Sequence, residues 1–236
     1  MKQNRMFHIV TKTWNPITGC YHQCIYCWAR KLAEKLRRRG VQKYKHGFKP
    51  TFHKNELYKA RYFSHNDFVF VSDMGDMWGD WVHPRWIIRV LEAIRESKAT
   101  FLFLTKNPKR YHQFLNLTPD NCFLGATIET NRDMMYFRHR ISKAPLPSVR
   151  YKAMKELEWE KKFLSIEPIL DFDLDVFTKW ITEINPKIIY IGYDNYNHKL
   201  PEPPLNKTQK LIKELTELGF TVYEKTLRKA WYENKH

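Results

Sequence analysis

Three of the four cysteines in this chain fall within eight residues, as Cys20, Cys24 and Cys27 of the segment TWNPITGCYHQCIYCW that runs from Thr13 to Trp28. Three thiols leave an odd one, so the group reads as metal or redox chemistry rather than a disulfide framework. Thiolates at i, i+4 and i+7 on a compact loop suit three irons of a cubane and leave the fourth iron without a protein ligand, open to a cofactor or substrate. The same segment carries His22, so Cys20, His22, Cys24 and Cys27 also supply four ligands for a structural zinc ion. The single residue between Cys20 and His22 is tighter than the usual zinc pair. Both chemistries stand on spacing alone.

Ligands of either kind need a scaffold, and the chain has the material for one. Its 236 residues are 43% hydrophobic and 28% charged, which excludes disorder as the main state and fits one large α/β domain. No run approaches the roughly 18 consecutive apolar residues of a spanning helix, and the start MKQNRMFHIVTK has no signal-peptide core. The expectation is a cytoplasmic protein with no membrane contact. Lys and Arg number 41 against 25 Asp and Glu, a net charge of +16, and such a field attracts polyanions, nucleic acid above all.

Short continuous apolar runs at 68–71, 100–104, 122–128, 163–166, 187–191 and 220–223 read as parallel strands covered on both faces, with a first strand near 7–13. Helix-period segments lie between them at 28–39, 83–97, 109–115, 131–141, 174–184 and 205–218. The Pro-rich patches at 144–147 and 200–204 read as loops. No G-x-G-x-x-G follows the first strand and the chain has only eight glycines, which argues against a dinucleotide fold. The predicted architecture is a single-domain partial (β/α)6 TIM barrel with a basic and aromatic insertion at about 40–66. The cysteine loop then lies between the first strand and first helix, on the face where such barrels hold their sites.

The C-x3-C-x2-C spacing, with aromatic Tyr26 before the last cysteine and a strand before the loop, resembles the signature of the radical S-adenosylmethionine superfamily. The flanking TWNPITGC, the later LTKNPKRY and the strand end SIEPIL resemble a phage- and archaea-associated branch of it, distantly similar to spore photoproduct lyase. The likeness covers nearly the whole chain. It implies a [4Fe-4S] cluster on Cys20, Cys24 and Cys27, S-adenosyl-L-methionine on the open iron, and an external electron donor such as flavodoxin or ferredoxin.

The resemblance also implies cofactor contacts at Tyr26 and at the strand ends. Ser72-Asp73-Met74-Gly75-Asp76 occupies the place of the family's Gly-Gly-Glu, which receives the methionine ammonium, and keeps only Gly75 and an acid of that pattern. Lys106 would put a cation beside the cofactor carboxylate or a substrate phosphate, and the bland alternative is a basic loop with Lys109 and Arg110. Thr127 and Glu129 match positions that contact the ribose and the amino acid, and Ser165 and Glu167, followed by Pro168, end the next strand. Tyr193 would face the adenine or the substrate. Tyr193 and Cys122 are candidate hydrogen-atom donors, although Cys122 reads more simply as a buried core thiol.

The stretch from Lys35 to Phe63 interleaves cations with aromatic rings, which offers phosphate contacts and stacking faces together; a solvated helix face followed by a packed loop is the plain alternative. With Cys122 alone left over, no second cysteine-bound cluster can be built. The leading expectation is a radical enzyme acting on nucleic acid or a nucleotide-like anion. The rivals are a zinc-stabilised nucleic-acid-binding protein without catalysis and a radical enzyme acting on a peptide or small metabolite.

Overall fold

Continuous runs of branched and aromatic residues have no polar face to offer water, so they are stable as strands only when both faces are covered. The computed structural model describes residues 6–233. Its strands are β1 (Lys12–Trp14), β2 (Ile17–Thr18), β3 (Thr51–Phe52), β4 (Phe68–Val71), β5 (Thr100–Thr105), β6 (Cys122–Thr127), β7 (Lys162–Ile166), β8 (Ile188–Ile191) and β9 (Val222–Glu224). Seven of them form one sheet in the order β1-β4-β5-β6-β7-β8-β9, while β2 and β3 make a separate antiparallel ribbon. The order advances without reversal, which is barrel topology; a doubly wound sheet changes direction at its switch point. The fold is α/β, of partial TIM-barrel type.

The described residues divide into two compact units, 6–23 with 27–124 and 24–26 with 125–233. In the first, β1, β4 and β5 pair in parallel, with Lys12 opposite Val69 and Val69 opposite Phe101. Helices α1 (Trp28–Arg38) and α2 (Pro84–Ile94) follow β1 and β4. Pro84 sits where a helix start needs no N–H, and the preceding His83 accepts the Arg85 amide through Nδ1 at 3.1 Å. Ile87, Val90, Leu91 and Ile94 recur at i, i+3, i+4 and i+7 and are all buried, each contributing on the order of 2 kcal/mol of transfer free energy. Where the sequence predicts a helix at 109–115, two 3-10 turns form instead, at Pro108–Gln113 and Leu115–Leu117. Their amides reach back three residues, as from Phe114 to the Tyr111 carbonyl at 2.9 Å, and a segment this short does not extend into α-helix. The first strand begins at Lys12 rather than Phe7, because residues 7–10 close a turn through the Val10 amide and the Phe7 carbonyl at 3.1 Å.

In the second unit β7, β8 and β9 pair in parallel, with Phe163 opposite Ile188 and Ile189 opposite Val222. Its helices are α3 (Asp133–Arg138), α4 (Pro147–Lys155), α5 (Leu174–Ile184) and α6 (Leu205–Glu217). α3 is shorter than the predicted 131–141, and α4 has no counterpart in the sequence reading. Pro147 starts α4 rather than continuing a loop, by the same first-turn preference that places Pro84.

The insertion is strapped to the cysteine loop. Ile17 pairs with Phe52 and Thr18 with Thr51, the His53 amide donates to the Pro16 carbonyl at 2.7 Å, and the His53 Nε2 lies 2.8 Å from the Thr18 hydroxyl. Between the two pairing segments lie 3-10 turns at Gln42–Tyr44 and, beyond β3, Lys54–Tyr62.

Candidate active site

Within the first unit the cysteine loop is held by backbone before any side chain acts. Gly19 has φ +87°, and a Cβ there would meet the Lys49 carbonyl carbon and oxygen at 2.4 Å. Only glycine fits such a left-handed residue with a neighbouring backbone this close. The Gly19 amide donates to the Met74 carbonyl at 2.9 Å, the Asp76 amide to the Gly19 carbonyl at 3.2 Å, and the Cys20 amide to the Phe48 carbonyl at 3.2 Å. Gly75 pairs directly with Gly19 in a parallel bridge.

Asp76 then fixes the loop from below. It is buried, and its carboxylate accepts from His22 Nε2 at 2.9 Å, from the Thr105 hydroxyl at 2.8 and 2.9 Å, from the Trp78 amide at 3.0 Å and from the Lys106 amide at 3.0 Å. Burial works to raise its pKa, but the His22 bond and charge, with the Lys106 and Thr105 donors, outweigh that and hold it below the usual carboxylate range. Bonds to a charged group are worth about 1.5–3 kcal/mol each, so this carboxylate is an anchor for the loop. Asp73 is partly buried; its carboxylate accepts the Asn15 side-chain amide, and burial raises its pKa against that bond and the Lys43 charge. Lys106 is partly buried beside this cluster, whereas Arg110 turns inward to donate to the Gly79 carbonyl at 2.6 Å.

The second unit holds the middle of the cysteine segment. The Ile25 amide donates to the Ile141 carbonyl at 3.0 Å, and buried Cys24 has its sulfur 3.2 Å from the Ser142 hydroxyl. The Tyr26 hydroxyl donates to Glu129, whose other carboxylate oxygen accepts from Arg150 Nη1 at 2.8 Å. Glu129 and Arg150 are both fully buried, and Arg150 also donates to the Thr127 carbonyl and lies over the Tyr136 ring at 5.2 Å. Burial and then the Glu129 charge push the Tyr26 hydroxyl well above its ordinary pKa. Burial alone would lower the Arg150 guanidinium, but Glu129 and the two tyrosines reverse this and raise it. The expected ribose contact, Glu129, is thus tied in this structure to Tyr26, the residue just before the third cysteine. Sequence reasoning missed Arg150 and Ser142; a basic residue in PSVRYK carries the ordinary signal of a solvated helix face.

Farther along, Ser165 is buried with no partner for its hydroxyl. Glu167 bonds Lys225 through one oxygen, and burial raises its pKa despite that cation. It precedes Pro168 through a cis peptide. Tyr193 is fully buried, its hydroxyl 3.0 Å from the Pro203 carbonyl and 2.7 Å from the Thr208 hydroxyl, and its pKa is pushed up to about 12 chiefly by burial. Cys122 is buried at the first position of β6, the opposite end of that strand from Thr127.

The donor chemistry of the cysteine segment fits an iron-sulfur cluster. None of the thiols is in a disulfide. The Cys20 sulfur accepts the His22 amide and the Cys27 sulfur the Arg30 amide, each at 3.4 Å, the kind of N–H donation that stabilises thiolates and tunes cluster potential. Among the described residues no three or more His, Cys, Asp or Glu side chains are already gathered to hold a metal ion. The zinc reading also needs His22, whose Nε2 is committed to Asp76.

Comparison with solved structures places the fold. A cysteine-to-serine variant of spore photoproduct lyase matches at a TM-score of 0.63 with 11% identity, over 90% of this chain and 76% of that one. A cysteine-to-alanine variant with dinucleoside spore photoproduct matches at 0.57 with 12% identity, over 85% of this chain and 59% of that one. Streptococcus suis SuiB bound to S-adenosylmethionine matches at 0.56 with 11% identity, over 92% of this chain and half (50%) of that one. The chain therefore spans between half and three quarters of these proteins and shares the fold expected from its resemblance to the radical S-adenosylmethionine superfamily. No curated protein matches it in sequence. A family model does, over residues 6–183, and the chain belongs to the family it describes, "Protein of unknown function (DUF5131)".

Proposed function

We propose that this protein is a radical S-adenosylmethionine enzyme of the cytoplasm, with Cys20, Cys24 and Cys27 as ligands of a [4Fe-4S] cluster, fed by an external donor such as flavodoxin or ferredoxin. The observation that carries the reading is a C-x3-C-x2-C loop of unbridged thiols, each with an N–H or hydroxyl group at its sulfur, on a fold shared with a protein bound to S-adenosylmethionine. A cluster held by Cys20, Cys24 and Cys27 would supply the reducing electron for cleavage of S-adenosylmethionine and so the radical chemistry of the reaction.

The chain's own residues prepare that chemistry by position. Asp76 and His22 fix the entry to the loop, Glu129 and Arg150 fix Tyr26, and both anchors are buried away from water that would otherwise compete for their bonds. The unpartnered Ser165 hydroxyl is a donor held ready for a polar cofactor atom. Asp73, Gly75, Lys106, Thr127 and Glu167 are the remaining strand-end groups for the cofactor, and Tyr193 the candidate to return a hydrogen atom, whereas Cys122, buried at the far end of β6, is a core thiol. The excess of 41 basic over 25 acidic residues favours nucleic acid as the substrate class.

Anaerobic reconstitution with iron and sulfide tests the reading. The expected result is a brown protein with about four irons per chain that forms 5′-deoxyadenosine from S-adenosylmethionine on reduction. Cys20→Ala, Cys24→Ala and Cys27→Ala should each abolish both properties. Iron content and cofactor cleavage unchanged in any one of them would refute it.

A further inference from the structure

The first unit contains a cleft of about 440 Å³ that runs from Cys20 and Tyr21 in the cysteine loop to Arg30 and Arg37 on α1 and to Lys45 and Lys49 in the insertion. Arg30 and Arg37 stand at i and i+7 with Glu34 between them at i+4, so all three share one helix face. Glu34 is the single acid in the lining, and its carboxylate already accepts from Arg37 Nε at 2.8 Å. Four cations against one acid make the cleft strongly positive.

Its second property is an aromatic face. The Tyr21 side chain is 47% exposed, and its ring is braced edge-on by Trp81 at a centroid distance of 5.4 Å. A half-exposed ring held still by a neighbour is a preformed stacking surface. Farther along the insertion Arg61 lies over the exposed rings of Tyr58 and Tyr62, at 5.9 and 5.7 Å, which repeats the pairing of cation and aromatic.

We propose that this cleft binds a single-stranded stretch of nucleic acid, with its phosphates against Arg30, Arg37, Lys45 and Lys49 and one unstacked base on Tyr21. Cations track a sugar–phosphate backbone while an aromatic ring accepts any base, and a base within a duplex has no free face to offer. An acidic protein partner would use the charge but not the concave wall or the braced ring. The backbone contact between Cys20 and Phe48 and the close approach of Gly19 to Lys49 fix the cleft to the loop that carries the proposed cluster ligands. A strand seated there is therefore anchored beside the chemistry. The inference rests on the nucleic-acid part of the proposed function and is independent of the cluster chemistry.

The test is fluorescence anisotropy of the reconstituted protein with a labelled oligothymidylate of about twelve nucleotides, titrated from about 50 to 300 mM salt. Lys45→Ala with Lys49→Ala should make the slope of log affinity against log salt shallower by about 1.4, since each lost phosphate contact on a single strand removes about 0.7. Tyr21→Ala should weaken binding about tenfold with little change in slope, and Tyr21→Phe should restore it. The control pair Lys210→Ala with Lys213→Ala on α6 removes the same charge elsewhere and should change neither quantity by a comparable amount. Equal losses from both pairs would reduce the effect to net charge and overturn the proposal. So would cleft variants that keep their oligonucleotide affinity but lose that for an acidic redox protein such as flavodoxin. Cofactor cleavage by the wild-type protein without oligonucleotide reports on the cluster alone, so intact cleavage beside unaltered oligonucleotide binding in the variants would sink the cleft and leave the chemistry standing.

Discussion

The buried pair Glu129–Arg150 offers the sharpest test of how the middle of the cysteine segment is held. Both side chains are fully buried, 2.8 Å apart, and Glu129 also accepts the Tyr26 hydroxyl. Arg150→Met fills much of the same volume but strands the carboxylate without its cation. Breaking a buried pair from one side costs about 3–5 kcal/mol, because the remaining charge keeps its desolvation penalty and loses its partner. At about 2–4 °C per kcal/mol for a chain of this size, the unfolding midpoint should fall by roughly 6–20 °C. Glu129→Gln keeps an acceptor for Tyr26 but leaves the Arg150 guanidinium uncompensated, and should cost a similar amount. The double variant removes both charges, so its loss should fall well short of the sum, with a coupling of at least about 1.5 kcal/mol. Urea unfolding of the four proteins measures the cycle. Single losses under about 1 kcal/mol, or a double loss additive within about 0.5 kcal/mol, would refute the argument.

Two further outcomes follow from the cysteine loop and its strap. Gly19 and Gly219 share a φ of +87°, but a Cβ at Gly19 meets Lys49 backbone at 2.4 Å while one at Gly219 meets nothing within 4 Å. Gly219→Ala should cost about 1–2 kcal/mol from backbone conformation alone, and Gly19→Ala clearly more; equal losses in chemical denaturation would show that the close approach is not a constraint. His53 is held near pKa 4, down from 6.5, by burial and then by the Lys43 charge. Between those values the unfolded chain binds a proton that the folded protein refuses, so stability is complete above about pH 6.5 and declines as pH falls toward 4. His53→Gln should flatten that decline in melts run across the window, and an unchanged profile would assign the dependence to other groups.

Much of the fold was legible because its strands are covered on both faces. The run FVFV at 68–71 matches β4 residue for residue, and the later strands fall within two residues of expectation. The failures share a local cause. Phe7 and Val10 are apolar because they are buried in a turn, not because they extend a strand. Pro147 reads as a loop residue in the sequence yet opens α4, since proline at a first turn and proline in a loop look alike without the helix that follows. The candidate site was legible where spacing along the chain decides, at Cys20, Cys24 and Cys27. It was illegible where partners lie far apart in sequence: Asp76 is 54 residues from His22 and Glu129 is 103 from Tyr26. No periodicity distinguishes a carboxylate that bonds a loop from one that awaits a ligand.

The ribbon of Ile17–Thr18 with Thr51–Phe52 makes the insertion part of the cysteine loop's foundation. Excising residues 40–66 to make a minimal enzyme would strip the loop of a pairing strand and of the carbonyl that holds the Cys20 amide. The region that would diversify what the protein grips is therefore mechanically inseparable from the region that would hold its metal, and any drift in one must be accommodated by the other.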